Sequence, residues 1–424
     1  MKFTKKVLKN GLRIITVPMR DNPTITVLVM VEAGSKYETK KINGLSHFLE
    51  HMCFKGTERR PKAIDISREL DSIGAQYNAF TGQEYTGYYA KADKRHLDKV
   101  LDVVSDMYLH PIFKEDEIEK EKGVICEEIN MYEDQPMRHV QDLWMELLYG
   151  DQPAGWNIAG TKEGVRRLSR NDFVAYRKKH YVAEATTVIV AGGFHEERLI
   201  QMVESRFEAV HRDKKEGKLK TKDAQSKPAV LVKFKETDQS HLVLGVRTLD
   251  TYRKENQILR LLVGVLSGGM SSRLFQKLRD EMGVCYYVRA DNDTYTDHGA
   301  LQVAAGVDNK RVPEAIRAVL EEFTRLKREL VSPEELRKVK DYLSGNLYLS
   351  LESSDALSEY YGYQEVLRKP MKTPEEVVKE IEAVTAENIR ALAKKIFITK
   401  HLNLALIGRF KGTKEFLGEL NFEN

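Results

Sequence analysis

The apolar positions nearest the start of the chain follow strand spacing. Leu12–Val17 and Thr24–Val31 are β-branched, alternating or continuously apolar, and predict two β-strands. The spacing then becomes helical. Helices are predicted over Gly44–Phe54 and over Ala63–Ile73, the latter ended by Gly74. Gln76–Ala92 is rich in Tyr, Thr and Phe and reads as a hairpin. His96–Leu109 and Lys114–Met131 predict long amphipathic helices.

Residues 211–228, HRDKKEGKLKTKDAQSKP, hold only two apolar positions, Leu219 and Ala224, among charges, Gly, Ser and Pro. That is linker composition, and acidic residues among the lysines argue against a basic ligand-binding arm. The segments on either side resemble each other. GAQYNAFTGQEYTGYYAKADKRHLDKVLDVVSDM at 74–107 has a counterpart at 283–323, each a Gly-started strand pair, a turn and a helix. DEIEKEKGVICEEINMY parallels EELRKVKDYLSGNLYLS further along each half. A duplicated α+β fold is expected, with domains at 1–210 and 229–424 joined by the linker 211–228.

Bulk properties narrow the function classes. At 424 residues the chain is too long for one typical domain, and its 42% apolar and 31% charged residues fit packed cores with a solvated surface. The formal net charge is only +4, and no run of Lys and Arg interleaved with aromatics suggests nucleic acid. Three scattered cysteines, Cys53, Cys126 and Cys285, give no disulfide framework and no paired metal knuckle. The first residues alternate directly into a strand, without a signal-peptide pattern, and no run of about 20 apolar residues occurs. A soluble, cytoplasmic protein without membrane or nucleic-acid partners is expected.

The sharpest chemical signal is H-F-L-E-H at 47–51. Residues four apart share a helix face, so His47 and His51 can present imidazole nitrogens to one ion. Glu50 lies on nearly the same face, where a carboxylate can take a proton from water beside a metal. The spacing is the inverse of H-E-x-x-H. A catalytic zinc usually needs a third protein ligand. The predicted helix Lys114–Met131 offers Glu121 and Glu128, at the edge of a stripe formed by Ile118, Ile125, Ile129 and Tyr132. Glu127 points the other way. Two carboxylates leaning toward a core are costly unless a positive charge is there. Glu128 is therefore expected as the ligand and Glu121 as support that orients a ligand or the base. Cys53 and Cys126 read as packed thiols.

These residues resemble the M16 (pitrilysin-like) metallopeptidases along essentially the whole chain. NGLSHFLEHMCFKGT carries the two-histidine helix and EKEKGVICEEINMYEDQP the downstream Glu, and the length looks like the shorter two-domain subfamily. The resemblance implies two domains of one fold, each an antiparallel sheet with helices packed on one face. It also implies that GAQYNAFT is an edge strand beside the metal, where Asn78 and Ala79, with neighbouring Phe80, bind substrate as an added strand. SSRLFQKLRDEMGVCYYV matches the family's Arg and Tyr at Arg279 and Tyr286, which would hold substrate carbonyls and the developing oxyanion. Tyr287 is adjacent to the assigned tyrosine.

In the second half the position of Glu128 falls on Asn346, and the segment matching the two-histidine helix, ENQILRLLVGVLSGG, has no His. One Zn²⁺ per chain is expected. The function implied is a zinc endopeptidase hydrolysing peptides or unfolded segments inside a clamshell chamber. Because one sequence carries both the metal residues and the Arg/Tyr pair, a homodimer is expected, each site completed in trans. Alternatives within the family are a non-catalytic structural or partner subunit, and a dedicated leader-peptide processing enzyme.

Overall fold

The structure, a computed structural model, describes residues 2–422. The described residues form two compact units, one of residues 2–130, 157–219 and 348–373, the other of 131–156, 220–347 and 374–422.

The first unit is built on a sheet of β1 (Thr4–Val7), β2 (Arg13–Pro18), β3 (Thr24–Val31), β4 (Gln76–Thr81), β5 (Thr86–Asp93) and β6 (Thr186–Gly192). The strand order is β1-β2-β6-β3-β5-β4. The predicted strand at Thr24–Val31 is β3, and seven of its eight residues are buried because it runs centrally with both faces covered. Ile25, Val27, Val29 and Val31 face the main core. In that core they meet helices α1 (Leu45–Cys53), α3 (Leu97–Leu109) and α4 (Glu115–Asp134), and α2 (Ala63–Asp71) adds Ile66 and Leu70. The predicted hairpin is β4–β5, paired from Gln76↔Lys91 to Thr81↔Thr86. Among the described residues β4 pairs with β5 alone, so its outer edge is open.

The second unit carries β7 (Ala229–Phe234), β8 (Gln239–Thr248), β9 (Cys285–Thr294), β10 (Gly299–Asp308) and β11 (Leu402–Gly408), in the order β7-β11-β8-β10-β9. This matches β2-β6-β3-β5-β4 strand for strand, so the duplication read from sequence is present in the topology. The α+β class with two similar domains holds. Each sheet is mixed, however, with one parallel pair, β2–β6 in the first unit and β7–β11 in the second. Those partners lie far apart in sequence, beyond the reach of local patterning.

Helices also cover the second face of each sheet, where packing on one face was expected. On the first sheet this helix is Ser354–Val366, from the second half of the sequence, and it packs on β3 and β6. Its Leu357, Tyr361 and Val366 are buried, each such apolar side chain contributing roughly 1.5–3 kcal/mol. A Cβ on Gly362 would lie 2.7 Å from Met30 Sδ and 3.4 Å from Leu28 Cδ2, which shows how closely the helix meets β3. Ser354 Oγ lies 3.0 Å from Thr24 Oγ1 and 2.9 Å from Thr26 Oγ1. Reciprocally, α5 (Pro136–Tyr149), which follows α4 in the first half, packs on β11 and β8. There Val140, Leu143, Trp144 and Leu148 meet Val243, Ala405 and Ile407. Each half of the sequence thus supplies one helix to the other half's sheet, and the compact units are not contiguous stretches of chain.

Candidate metal centre

Helix α1 carries the two histidines, and its start is fixed by buried groups. Gly44 precedes it with φ +96°, and a Cβ there would lie 2.6 Å from the Ala159 carbonyl oxygen, so glycine suits the position on both counts. The buried carboxylate of Glu38 accepts hydrogen bonds from Ser46 N–H at 2.6 Å, Gly44 N–H at 2.9 Å and Asn43 Nδ2 at 3.1 Å. It therefore satisfies donors that the first helical turn leaves open. Burial pushes this carboxyl up to about 7, against the pull of the three donors.

His47 and His51 project from one face of α1 with ring centroids 4.7 Å apart. Glu128 of α4 meets both, its Oε2 lying 3.6 Å from His47 Nε2 and 3.6 Å from His51 Nε2. One ligand atom from each of the three residues falls within 4.8 Å of the others, the one such group among the described residues. Glu127 is exposed, while Glu121, two turns before Glu128 on α4, is buried. Its Oε1 is 2.9 Å from His51 Nδ1 and its Oε2 2.5 Å from Lys55 Nζ. Burial lowers the His51 pKa, but the hydrogen bond to Glu121 and the charges of Glu50, Glu128 and Glu121 raise it overall.

Two imidazole nitrogens and one carboxylate oxygen converging from two helices fit a tetrahedral Zn²⁺ with one position left open. The anchored Nδ1 of His51 is the support such a ligand needs. Cys53 and Cys126 do not join the cluster. Cys53 donates to Tyr88 Oη at 3.5 Å, and burial pushes its thiol up to about 11, which keeps it protonated.

Glu50 is half-buried beside the cluster. Its Oε2 accepts a hydrogen bond from Thr81 Oγ1 at 2.5 Å. Burial raises the carboxyl pKa, and the Thr81 hydroxyl together with His47 and His51 pulls it partly back.

The edge-strand residues divide between the two faces of the sheet. Tyr77 and Ala79 pack toward the main core, as alternation requires. Asn78 is exposed, and its Oδ1 accepts from the Ala79 N–H at 2.9 Å. The Phe80 ring lies on the opposite face, 6.1 Å from the Tyr85 ring and 5.9 Å from that of Tyr363, so only its backbone belongs to the edge. Thr81 returns to the α1 side. Sequence reasoning passed over it, although alternation from Ala79 places it there. Lys55, one helical turn beyond His51, carried a similar signal. Glu38 carried none.

Arg279 and Tyr286 belong to the second unit. The Arg279 guanidinium lies 5.4 Å from the Tyr286 ring centroid, and Tyr286 is 72% exposed. Tyr287 instead turns inward, its Oη 3.1 Å from His241 Nδ1. Of the adjacent tyrosines, Tyr286 is the accessible one. Asn346, at the repeat position of Glu128, donates to its own helix at the Tyr342 carbonyl, 2.8 Å away. Among the described residues no helix is long and apolar enough to cross a membrane.

The duplicated α+β scaffold is one that known proteins share. The sequence model described as Insulinase (Peptidase family M16) matches residues 13–162, and Peptidase M16 inactive domain matches 167–343. The chain belongs to the M16 peptidase family. It is 37% identical over 402 residues to the uncharacterized zinc protease YmxG of Bacillus subtilis, covering 94% of this chain and 96% of the relative. An uncharacterized zinc protease of Streptomyces coelicolor is 31% identical over 419 residues, covering 96% and 90%. Among solved structures, a protease from Helicobacter pylori superposes with a TM-score of 0.89 at 22% identity, covering 96% of this chain and 99% of the other. A Pseudomonas fluorescens protein described as a peptidase M16 inactive domain gives 0.89 at 16% identity, covering 97% and 99%. The two structures speak for the fold alone.

Proposed function

We propose that this chain is a zinc-dependent endopeptidase that cleaves peptides or unfolded segments. The observation that carries the reading is the convergence of one ligand atom each from His47, His51 and Glu128 within 4.8 Å of one another, with the Glu50 carboxylate alongside. His47, His51 and Glu128 hold one zinc per chain, and Glu121 anchors His51. Zinc bound there supplies a Lewis acid that polarises a carbonyl and lowers the pKa of water toward neutrality.

Glu50 accepts the proton of the attacking water and returns it to the leaving amine, a general base and then a general acid. The open edge of β4 receives the substrate backbone as an added strand, with Asn78 and Ala79 at its centre. The exposed pair Arg279 and Tyr286 grips substrate carbonyls. In the proposed homodimer, this pair serves the partner's zinc site.

The deciding experiment combines metal analysis with digestion of an unstructured peptide by wild type and Glu50→Gln. The expected outcome is about one zinc per chain in both, with cleavage by wild type and at least about 100-fold less by the variant. A wild type free of stoichiometric zinc that leaves the peptide intact overturns the reading. For the dimer, mixing Glu50→Gln with Arg279→Ala chains restores activity at one site in two. No recovery on mixing rules out completion in trans.

A further inference from the structure

We propose that Thr81 is a positioning residue for the reaction, holding the Glu50 carboxylate in the orientation that proton transfer requires. The inference rests on the peptidase reading above and extends it to a residue with no part in binding metal. Thr81 Oγ1 donates to Glu50 Oε2 at 2.5 Å, and no hydrogen bond from another described residue reaches this carboxylate. Oε1 is left to accept a proton. A glutamate with three rotatable bonds and no such anchor spreads over several rotamers, and a displacement of about 1 Å can cost on the order of 100-fold in rate.

The donor is itself rigid. Threonine is β-branched and restricted at χ1. Its backbone is fixed by the register Thr81↔Thr86, and Thr86 is buried, with its Oγ1 donating to the Ala33 carbonyl at 2.9 Å. Thr81 also ends the strand whose open edge would take the peptide, two residues beyond Ala79 and on the same face. The strand that aligns substrate and the hydroxyl that aligns the base are one element. Glu50 sits on α1 between the two histidines, and this hydrogen bond ties α1 to β4 at the reacting end.

The test compares wild type, Thr81→Val and Thr81→Ser. Valine keeps the shape and removes the hydroxyl, and serine restores it. Steady-state kinetics on an unstructured fluorogenic peptide are measured with zinc affinity by chelator competition, and crystal structures are determined of the zinc-loaded proteins. Thr81→Val is expected to lower kcat about 10–100-fold with KM within about twofold, and Thr81→Ser to recover most of it. Zinc affinity stays at the wild-type value. The Glu50 carboxylate adopts one orientation in wild type and Thr81→Ser and leaves it in Thr81→Val.

Unchanged kcat in Thr81→Val, a Glu50 carboxylate still in its wild-type orientation, or a serine variant as impaired as valine each overturns the proposal. Should Thr81→Val prove unstable, Thr81→Ala removes the hydroxyl in its place, with the same loss of kcat expected and an unchanged kcat overturning the proposal. Wild type inactive on the same peptide and free of zinc removes the peptidase reading itself, and this inference with it. An active wild type with an equally active Thr81→Val removes the inference alone.

Discussion

Glu121 holds His51 from behind, its Oε1 2.9 Å from Nδ1. A carboxylate at that distance fixes the Nδ1–H tautomer and turns the Nε2 lone pair toward Glu128. Burial raises the Glu121 pKa, but its hydrogen bonds to His51 and Lys55 bring it below the ordinary value, so it stays ionised.

Replacing Glu121 with Gln keeps the shape and weakens the acceptor. Zinc affinity is expected to fall about 10–100-fold, read by chelator competition. Activity should return in part when zinc is supplied in excess. Wild-type affinity in the variant contradicts the anchoring role.

Two adjacent carboxylates on α4 offer a contrast in helix phase. Glu128→Gln is expected to lose stoichiometric zinc, because Oε2 faces both imidazoles at 3.6 Å. Glu127→Gln, changed on the exposed side, should keep it. Metal analysis of the two purified variants checks the pair, and equal zinc contents count against Glu128 as ligand.

Glu38 makes a prediction in pH. Its folded pKa of about 7 lies above the ordinary 4.5, so the folded state binds the proton more tightly than the unfolded chain between those values. Its contribution to stability is therefore greatest below about pH 4.5 and declines as pH rises toward 7, by roughly 3 kcal/mol. Urea unfolding of wild type and Glu38→Gln at pH 5 and 7.5 isolates it. The stability of wild type relative to the variant should decrease between the two pH values, and a constant difference rejects the assignment.

The exchanged helix predicts the behaviour of fragments. A chain ended at residue 210 lacks Ser354–Val366 and leaves Leu28, Met30 and Ile189 on an open sheet face. It should be insoluble or only loosely packed, judged by near-ultraviolet circular dichroism and proteolysis. In the full chain, Gly362→Val forces side-chain atoms against Met30 and should cost about 1–3 kcal/mol in urea unfolding. A compact, stable 1–210 fragment contradicts the account.

What the sequence made legible was local. The spacing of His47, Glu50 and His51 and the choice of Glu128 over Glu127 follow from 100° per residue on two helices, and the hairpin from period-two alternation. The repeat was legible because duplication leaves parallel segments. The helix exchange was not, since an amphipathic stripe such as that of α5 shows that one face is buried but not which sheet covers it. The β2–β6 pairing was hidden for the same reason. Glu38 was missed because its bonds to residues 43–46 depend on a loop conformation, with no periodic signature. Phe80 was grouped with Asn78 and Ala79 by proximity in sequence, although its ring lies on the far face against Tyr363.

The traded helices also set an order of events during synthesis. The six strands of the first sheet are complete at Gly192, but the helix that seals their second face begins at Ser354. At roughly 5–20 residues per second, a ribosome takes roughly 10–30 s to span that interval. For that time Leu28, Met30 and Ile189 form an apolar strip open to water on a nearly finished sheet. The nascent protein then needs something else to cover the strip, and a chaperone that recognises exposed apolar strand surface is suited to the task.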